Sequence, residues 1–420
     1  MLFSIPLPFL FVAKDQLIAG IDIGGSKVRT VIAELDSESG ALNVIGVGIT
    51  DSHGIRKGNI VDINETIKNI SQSLENAERM AGESIDSAFV SVSGSHLKAI
   101  PSKGVVAVSG QEITQEDVGR VIDAAQTLPL PMNRIIIRVV PRMFTIDNQE
   151  GIKQPIGMSG IRLEVDAEII TGIGPIVKNI EKCAHQVGID LDDFIPAPLA
   201  SADAVLSKRQ RELGVVAVDI GLSSTSVTVY EEGVLLHTAI IPVGGENVTN
   251  DIAIGLRTSI DVAEKLKIEY GSCNPHEISD LDDINLSLIS KVDTHRVSKK
   301  QLVEIIEARY HEIFSLVREE LSKIDRDGKL PAGALLTGSA IKIPGCLELA
   351  RNVLGLPVQI GFPQEIDGIV DRIDDPSFAT MLGLISLGSK GERSRRFSFG
   401  GLNVSSAFKG VSSFFKRLLP

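Results

Sequence analysis

From residue 17 apolar and polar positions alternate through LIAGIDIGG, break at Gly24-Gly25, and alternate again through KVRTVIAEL to residue 35. Period-two patterning on both sides of a glycine pair predicts a β-hairpin. A third strand is expected near 41–50. The period then lengthens: Ile63, Ile67, Ile70, Leu74, Ala77 and Met80 fall at helical spacing over 62–81. Residues 86–93 read as a strand. Segment 95–165 mixes strands at 104–109 and 134–146 with one helix at 114–126 and many turn residues, the pattern of an inserted αβ module. The main pattern resumes with a strand at 164–171, a helix at 175–187 and a loop, PAPLAS, at 196–201.

A second half begins at Gly214. VAVDIGLSSTSVTVYEEG, 216–233, repeats the strand, glycine turn and strand of the first hairpin, and Asp219-Ile220-Gly221 matches Asp22-Ile23-Gly24. One such echo in each half is an internal repeat at domain scale. It predicts two related α/β domains facing each other across a cleft. Helices are expected over much of 246–270 and over 298–323. GALLTGSAIKIPG (333–345) reads as a buried strand, a glycine turn and a helix start, and a last apolar helix is expected at about 376–388.

Beyond that helix the composition changes. GSKGERSRRFSFGGLNVSS is polar, basic and rich in Gly and Ser, as in a flexible linker. The net charge of the 420 residues is −12, yet residues 390–420 hold seven Lys/Arg against Glu392 alone, +6, which leaves −18 for the rest. An acidic body is not built to hold nucleic acid by neutralising phosphates, while a basic tail points to an anionic partner of its own. At 100° per residue, Phe408, Val411, Phe414, Phe415, Leu418 and Leu419 share an arc of about 140°, and Lys409, Lys416 and Arg417 lie opposite. That is the pattern of a helix lying in a membrane interface, with cations near anionic head groups. Each such cation contributes about 1 kcal/mol, so one short helix binds reversibly and polymerisation would add avidity.

Cys183, Cys273 and Cys346 form no CxxC pair and read as buried reduced thiols. Residues 2–13 (LFSIPLPFLFVA) are apolar but too short to span a bilayer, carry two prolines and lack a basic flank. They read as a packed or disordered extension, or as a start codon set too far upstream, rather than a signal anchor.

Each Asp-Ile-Gly turn sets a carboxylate at a strand end beside glycines with free N–H groups. Such a turn is an anion-binding nest, and glycine permits close approach of the backbone. In the first turn Ser26 and Lys27 could add a hydroxyl and a positive charge against phosphate. Asp22 and Asp219 suit a hydrated Mg²⁺, which keeps several waters and takes one or two carboxylates. Taken alone, a D-x-G turn is more often a plain hairpin. Two of them, plus a T-G-S-A turn in the second half, are stronger together.

In order, DIGGSKVRT, DIGLSSTSV and LLTGSAIKIPG resemble the phosphate 1, phosphate 2 and adenosine motifs of the actin-like ATPase superfamily. PAPLASADAV (196–205) and FATMLGLISLG (378–388) occupy the places of its two connecting segments. The resemblance implies an actin-like (ribonuclease H-like) α/β fold of two domains. It implies ATP and Mg²⁺ at Asp22, Gly24, Gly25, Ser26, Lys27, Asp219, Gly221, Ser223, Ser224, Thr225, Gly244, Gly245, Gly338, Ser339, Ala340 and Ile343. Glu264 and Lys267, three apart on one helix face, would contact ribose and adenine, or form a surface salt bridge. Three departures stand out: Leu222, Ser223 and Ser224 occupy the second turn, Ser226 stands near where an acid is common, and the adenosine turn has Gly338-Ser339 rather than Gly-Gly. Slow or undetectable hydrolysis is expected, with Asp219 positioning water through Mg²⁺.

Residues 45–60 and 146–160, the short module and the basic amphipathic tail are similar to those of the FtsA family, over roughly 17–420. That resemblance implies subdomain 1A at 17–91 and 166–212, an inserted 1C at 92–165, 2A at 213–258 and 334–389, and 2B at 259–333. Residues 1–16 would be an extension, 390–404 a linker and 405–420 the membrane-targeting helix. It implies further a place at the inner face of the cell membrane, and as partners the C-terminal peptide of FtsZ on 259–333, other copies of the chain and later division proteins. A PilM-like pilus ATPase would lack the tail. A sugar kinase of the ROK type, which IDIGGSK also resembles, would carry a cysteine-rich zinc motif. A heat-shock ATPase would need a β-domain after residue 388.

Overall fold

The computed structural model describes residues 16–36, 38–290, 295–364, 366–368 and 373–390. The N-terminal extension, most of the basic linker and the amphipathic helix expected at 405–420 lie outside the described residues.

In the first half β1 (Gln16–Ile23), β2 (Lys27–Leu35) and β3 (Leu42–Asp51) form an antiparallel meander. A small ribbon, β4 (Ile55–Arg56) with β5 (Asn59–Ile60), leads to α1 (Ile63–Ala81). Asp62 caps α1 by accepting from the Glu65 amide, and Gly82 closes it in the left-handed conformation. β6 (Ser87–Val92) then pairs parallel with β1. The chain leaves through β7 (Lys98–Ala107), α2 (Gln115–Ala125), β8 (Arg134–Ile146), β9 (Gln149–Ile152) and β10 (Arg162–Ile173). These make a separate four-stranded sheet, β7-β10-β8-β9, with α2 on it and its own core around Val121, Phe144, Leu163 and Ile169. It returns through α3 (Gly174–Gln186) to β11 (Asp190–Pro196), parallel to β6. Next come α4 (Ala197–Val205) and α5 (Lys208–Leu213).

The second half repeats this order. β12 (Val215–Ile220), β13 (Thr225–Glu231) and β14 (Val234–Ile241) form the meander, followed by α6 (Gly245–Leu256) and α7 (Ile260–Tyr270). A ribbon of β15 (Asp283–Asn285) and β16 (Arg296–Ser298) precedes the 25-residue α8 (Lys299–Lys323). β17 (Ala334–Thr337), α9 (Cys346–Leu354) and β18 (Val358–Ile360) complete a sheet ordered β14-β13-β12-β17-β18. The first sheet, β11-β6-β1-β2-β3-β19, has the same arrangement: two antiparallel pairings outward from the first strand and two parallel pairings on its other side. The internal repeat read from the two hairpins is therefore a repeat of topology.

Three sequence expectations are corrected. PAPLAS is not a loop: residues 197–201 open α4, which is buried on nearly every face. The strand expected at 104–109 runs instead over β7, Lys98–Ala107. The division that assigned 334–389 wholly to the second domain also changes. β19 (Ile366–Gly368) pairs with β3, and the last helix, α10 (Ala379–Ser389), packs on α4, β1, β2 and β6. Met381, Leu382, Leu384 and Ile385 are buried in one cluster with Ile18, Val31 and Phe89 of the first lobe. The chain thus returns to its first lobe and lays α10 along the base of the cleft.

The three cysteines are free and buried. Among the described residues no helix is long and apolar enough to cross a membrane.

Candidate functional site

Both hairpins close with the same turn. The Gly24 amide donates to the Lys27 carbonyl at 3.1 Å, and the Gly221 amide donates to the Ser224 carbonyl at 3.0 Å. The duplicated sheets present the two turns to each other: a Cβ on Gly25 would stand 3.5 Å from Leu222 Cδ2. The parallel strand β17 runs beside β12 and brings in Gly338, whose φ of +94° places it where only glycine sits comfortably. The N-terminus of α6 closes the second turn from behind, with the Gly245 amide on the Gly221 carbonyl at 2.9 Å.

The result is an open cleft between the two turns. Asp22, Gly24, Gly25, Ser26, Asp219, Gly221, Ser223, Ser224, Gly338 and Ser339, all named from the sequence, line it together. Others named there do not. Lys27 turns outward to an ion pair with Asp51. Thr225 is fully buried and donates to the Val243 carbonyl at 2.8 Å. Gly244 packs against the second turn, where a Cβ would lie 2.7 Å from the Gly221 and Leu222 carbonyl oxygens. Ala340 accepts a hydrogen bond from Tyr310, and Ile343 packs on the second lobe's core.

Glu264 and Lys267 pair at 2.7 Å. Lys267 is buried and also donates to Thr249 Oγ1 at 2.8 Å and to the Gly245 carbonyl at 3.3 Å, so the pair ties α7 to the start of α6 rather than decorating the surface. Neutralising Lys27 by Lys27→Ala is expected to leave affinity for a cleft ligand within about twofold, since its exposed ion pair is worth little. Equilibrium titration of the two proteins side by side is the check.

Arg29, Gly58, Ser93, Gly94, Ala197, Pro376, Ser377 and Thr380, not singled out in the sequence, complete the lining with Leu222 and Ser226, there noted only as departures from the motif. Two of them had a signal. In the hairpin registers Asp22 stands opposite Arg29, and Asp219 stands opposite Ser226. A strict count outward from each glycine turn would have placed both beside the carboxylates.

The electrostatics centre on those carboxylates. Ser91 Oγ accepts from the Ile23 amide at 3.1 Å and donates to Asp22 Oδ1 at 2.8 Å. Burial pushes the Asp22 carboxyl above its ordinary range, against the pull of Arg29 and the Ser91 hydroxyl. Asp219 is pushed up to about 6, first by burial and then by the charge of Asp22. The hydroxyls of Ser201 and Thr380 offset part of this, Thr380 Oγ1 lying 3.2 Å from Asp219 Oδ2. Two carboxylates from opposite lobes thus hold each other's charge at a cost, which a cation between them would relieve. With glycine turns and serine hydroxyls on either side, this donor set fits a hydrated divalent cation carrying a polyphosphate.

The duplicated sheets, the cleft between them and the inserted sheet define the class: a two-lobed actin-like α/β protein. The fold is similar to a chain of the PilM–PilN type IV pilus biogenesis complex, with a TM-score of 0.65 at 15% identity over 89% of this chain and 98% of that one. It is also similar to MreB5 of Spiroplasma citri bound to ADP, with a TM-score of 0.52 at 12% identity over 89% and 97%. Within that class the chain belongs to the FtsA family. It is 38% identical over 377 residues to cell division protein FtsA of Pseudomonas aeruginosa, covering 90% of each. It is 38% identical over 382 residues to that of Bacillus subtilis (90% of this chain, 85% of that one), and 35% identical over 382 residues to that of Escherichia coli K12 (89% and 91%). Residues 216–383 match the family description "Cell division protein FtsA", and residues 94–171 match "SHS2 domain inserted in FTSA".

Proposed function

We propose that the protein is an actin-like, ATP-binding cell division protein. It assembles on the inner face of the cytoplasmic membrane at the division site, tethers FtsZ filaments there and recruits later division proteins. The observation that carries the nucleotide part is the pair of facing carboxylates, Asp22 and Asp219, each beside a glycine turn, in a chain of the FtsA family. ATP would lie along Gly24–Ser26 and Gly221–Ser224, and Asp22 and Asp219 would hold Mg²⁺ through its waters. Asp219 would orient an attacking water through that cation. Ser226, opposite it in the register, offers a hydroxyl and no base. Binding with slow or undetectable turnover follows.

Membrane attachment falls to the basic amphipathic segment, Phe408 to Leu419, beyond the acidic body. The C-terminal peptide of FtsZ would dock on 259–333, and copies of the chain would assemble into filaments.

Co-sedimentation with anionic liposomes, in ATP and Mg²⁺, of the full chain and of a chain ending at Val404 is the test. The full chain alone is expected to pellet with lipid. Equal pelleting of both would remove the tail from the account.

A further inference from the structure

Arg29 is a half-buried cation with a distant ion pair and no hydrogen-bond partner among the described residues. Its side chain is 12% exposed, and its nearest carboxylate oxygen, Asp22 Oδ2, is 3.7 Å from NH1, beyond hydrogen-bond reach. Its Nε is buried with no acceptor among the described residues. A guanidinium offers five N–H donors, and a buried donor left unmade is costly. The group is nonetheless held in place, its centre 5.6 Å from the centroid of the Phe378 ring at the entry to α10. It lies directly under the first glycine turn: NH1 is 3.9 Å from where a Cβ on Gly24 would stand. Lys27, the cation of the turn itself, is engaged with Asp51 outside the cleft. Among the described residues Arg29 is therefore the cation that lines the cavity.

We propose that Arg29 is the resident counter-ion of the cleft and its phosphate-positioning residue. This rests on reading the cleft as an ATP site. With the cleft empty, Arg29 partly neutralises Asp22 and also lowers the charge burden on Asp219. When a nucleotide enters, its free donors turn to phosphate oxygen, a bidentate partner it is shaped for. Asp22 is then released to the hydrated cation. The device lets a polyphosphate approach two like-charged carboxylates before, or without, a divalent metal.

The consequence is a metal dependence that Arg29 sets. Equilibrium binding of ATP to the full-length protein would be measured in excess Mg²⁺ and in EDTA, for the wild type, Arg29→Met and Asp22→Asn. Arg29→Met is expected to lose about tenfold or more in EDTA, the value of a charge-assisted hydrogen bond. In Mg²⁺, where the metal offsets the carboxylates, the loss is expected to be about threefold at most. Asp22→Asn keeps the guanidinium and removes its competitor, so its affinity in EDTA should rise severalfold. Equal losses for Arg29→Met in both buffers, or no loss in either, would overturn the proposal while leaving the ATP site intact. So would an unchanged affinity of Asp22→Asn in EDTA, which also serves if Arg29→Met does not fold. Failure of the wild type to bind ATP even with Mg²⁺ would instead overturn the reading of the cleft, and this proposal with it.

Discussion

Gly338→Ala is expected to abolish measurable nucleotide binding and to cost about 3 kcal/mol of stability. Gly338 has φ +94° and ψ 172°, a region open to essentially no residue but glycine. A Cβ there would lie 2.4 Å from Asp219 Oδ1 and 2.5 Å from the Ile220 carbonyl oxygen. Neither neighbour can yield cheaply. The Ile220 carbonyl belongs to β12, and Asp219 is held by Thr380 at the start of α10. Relief must come from moving the β17 turn out of the cleft or from rotating Asp219, and either displaces the proposed metal and phosphate groups together. Gly355→Ala supplies the comparison. Gly355 also has a positive φ, +62°, at the end of α9, but a Cβ there meets nothing within 4 Å. That change should cost about 1 kcal/mol and leave affinity unchanged. Thermal unfolding and nucleotide titration of both variants separate the two cases. Equal binding by Gly338→Ala and Gly355→Ala would mean that the cleft does not depend on this approach.

The comparison also shows which features the residue pattern carries. Period-two alternation around Gly24-Gly25 and around Gly221 located both turns and both carboxylates, because a half-buried hairpin writes its faces directly into the sequence. α4 escaped notice for a physical reason. Its prolines at 196 and 198 look like a loop, yet proline is tolerated in a first helical turn, and a helix buried all round has no amphipathic stripe to read. α10 has the same all-apolar character, so the pattern identified a helix without saying which lobe it serves. Only tertiary pairing reveals that Ile366–Gly368 joins β3 and that α10 lies against β1. Lys27 was named because it follows the turn, and Arg29, two residues further on, was missed. In the register of the sheet Lys27 lies across from Asp51 of β3, which takes its charge, while Arg29 lies opposite Asp22.

Asp219→Asn is expected to stabilise the nucleotide-free protein while it weakens binding of Mg²⁺-ATP about tenfold or more. The carboxyl is raised from an unfolded value of 3.8 to about 6, chiefly by burial and then by Asp22. Its ionised form is therefore the unfavourable one in the folded state. The folded chain binds more protons than the unfolded chain between these two values, so stability falls as pH rises through that window. The penalty is absent below about pH 4 and fully present above about pH 7. It is on the order of 2 kcal/mol, allowing for a cleft that still admits water. The amide has no charge to lose, can still accept from Thr380 Oγ1, and lifts the repulsion on Asp22. Thermal midpoints of the two proteins without nucleotide should converge near pH 4 and separate by a few degrees at pH 7.5, with the variant the more stable. A variant less stable than the wild type at pH 7.5 would show that the facing carboxylates carry no such cost. The site would then lack the charge imbalance between its two lobes that the proposed cation would relieve.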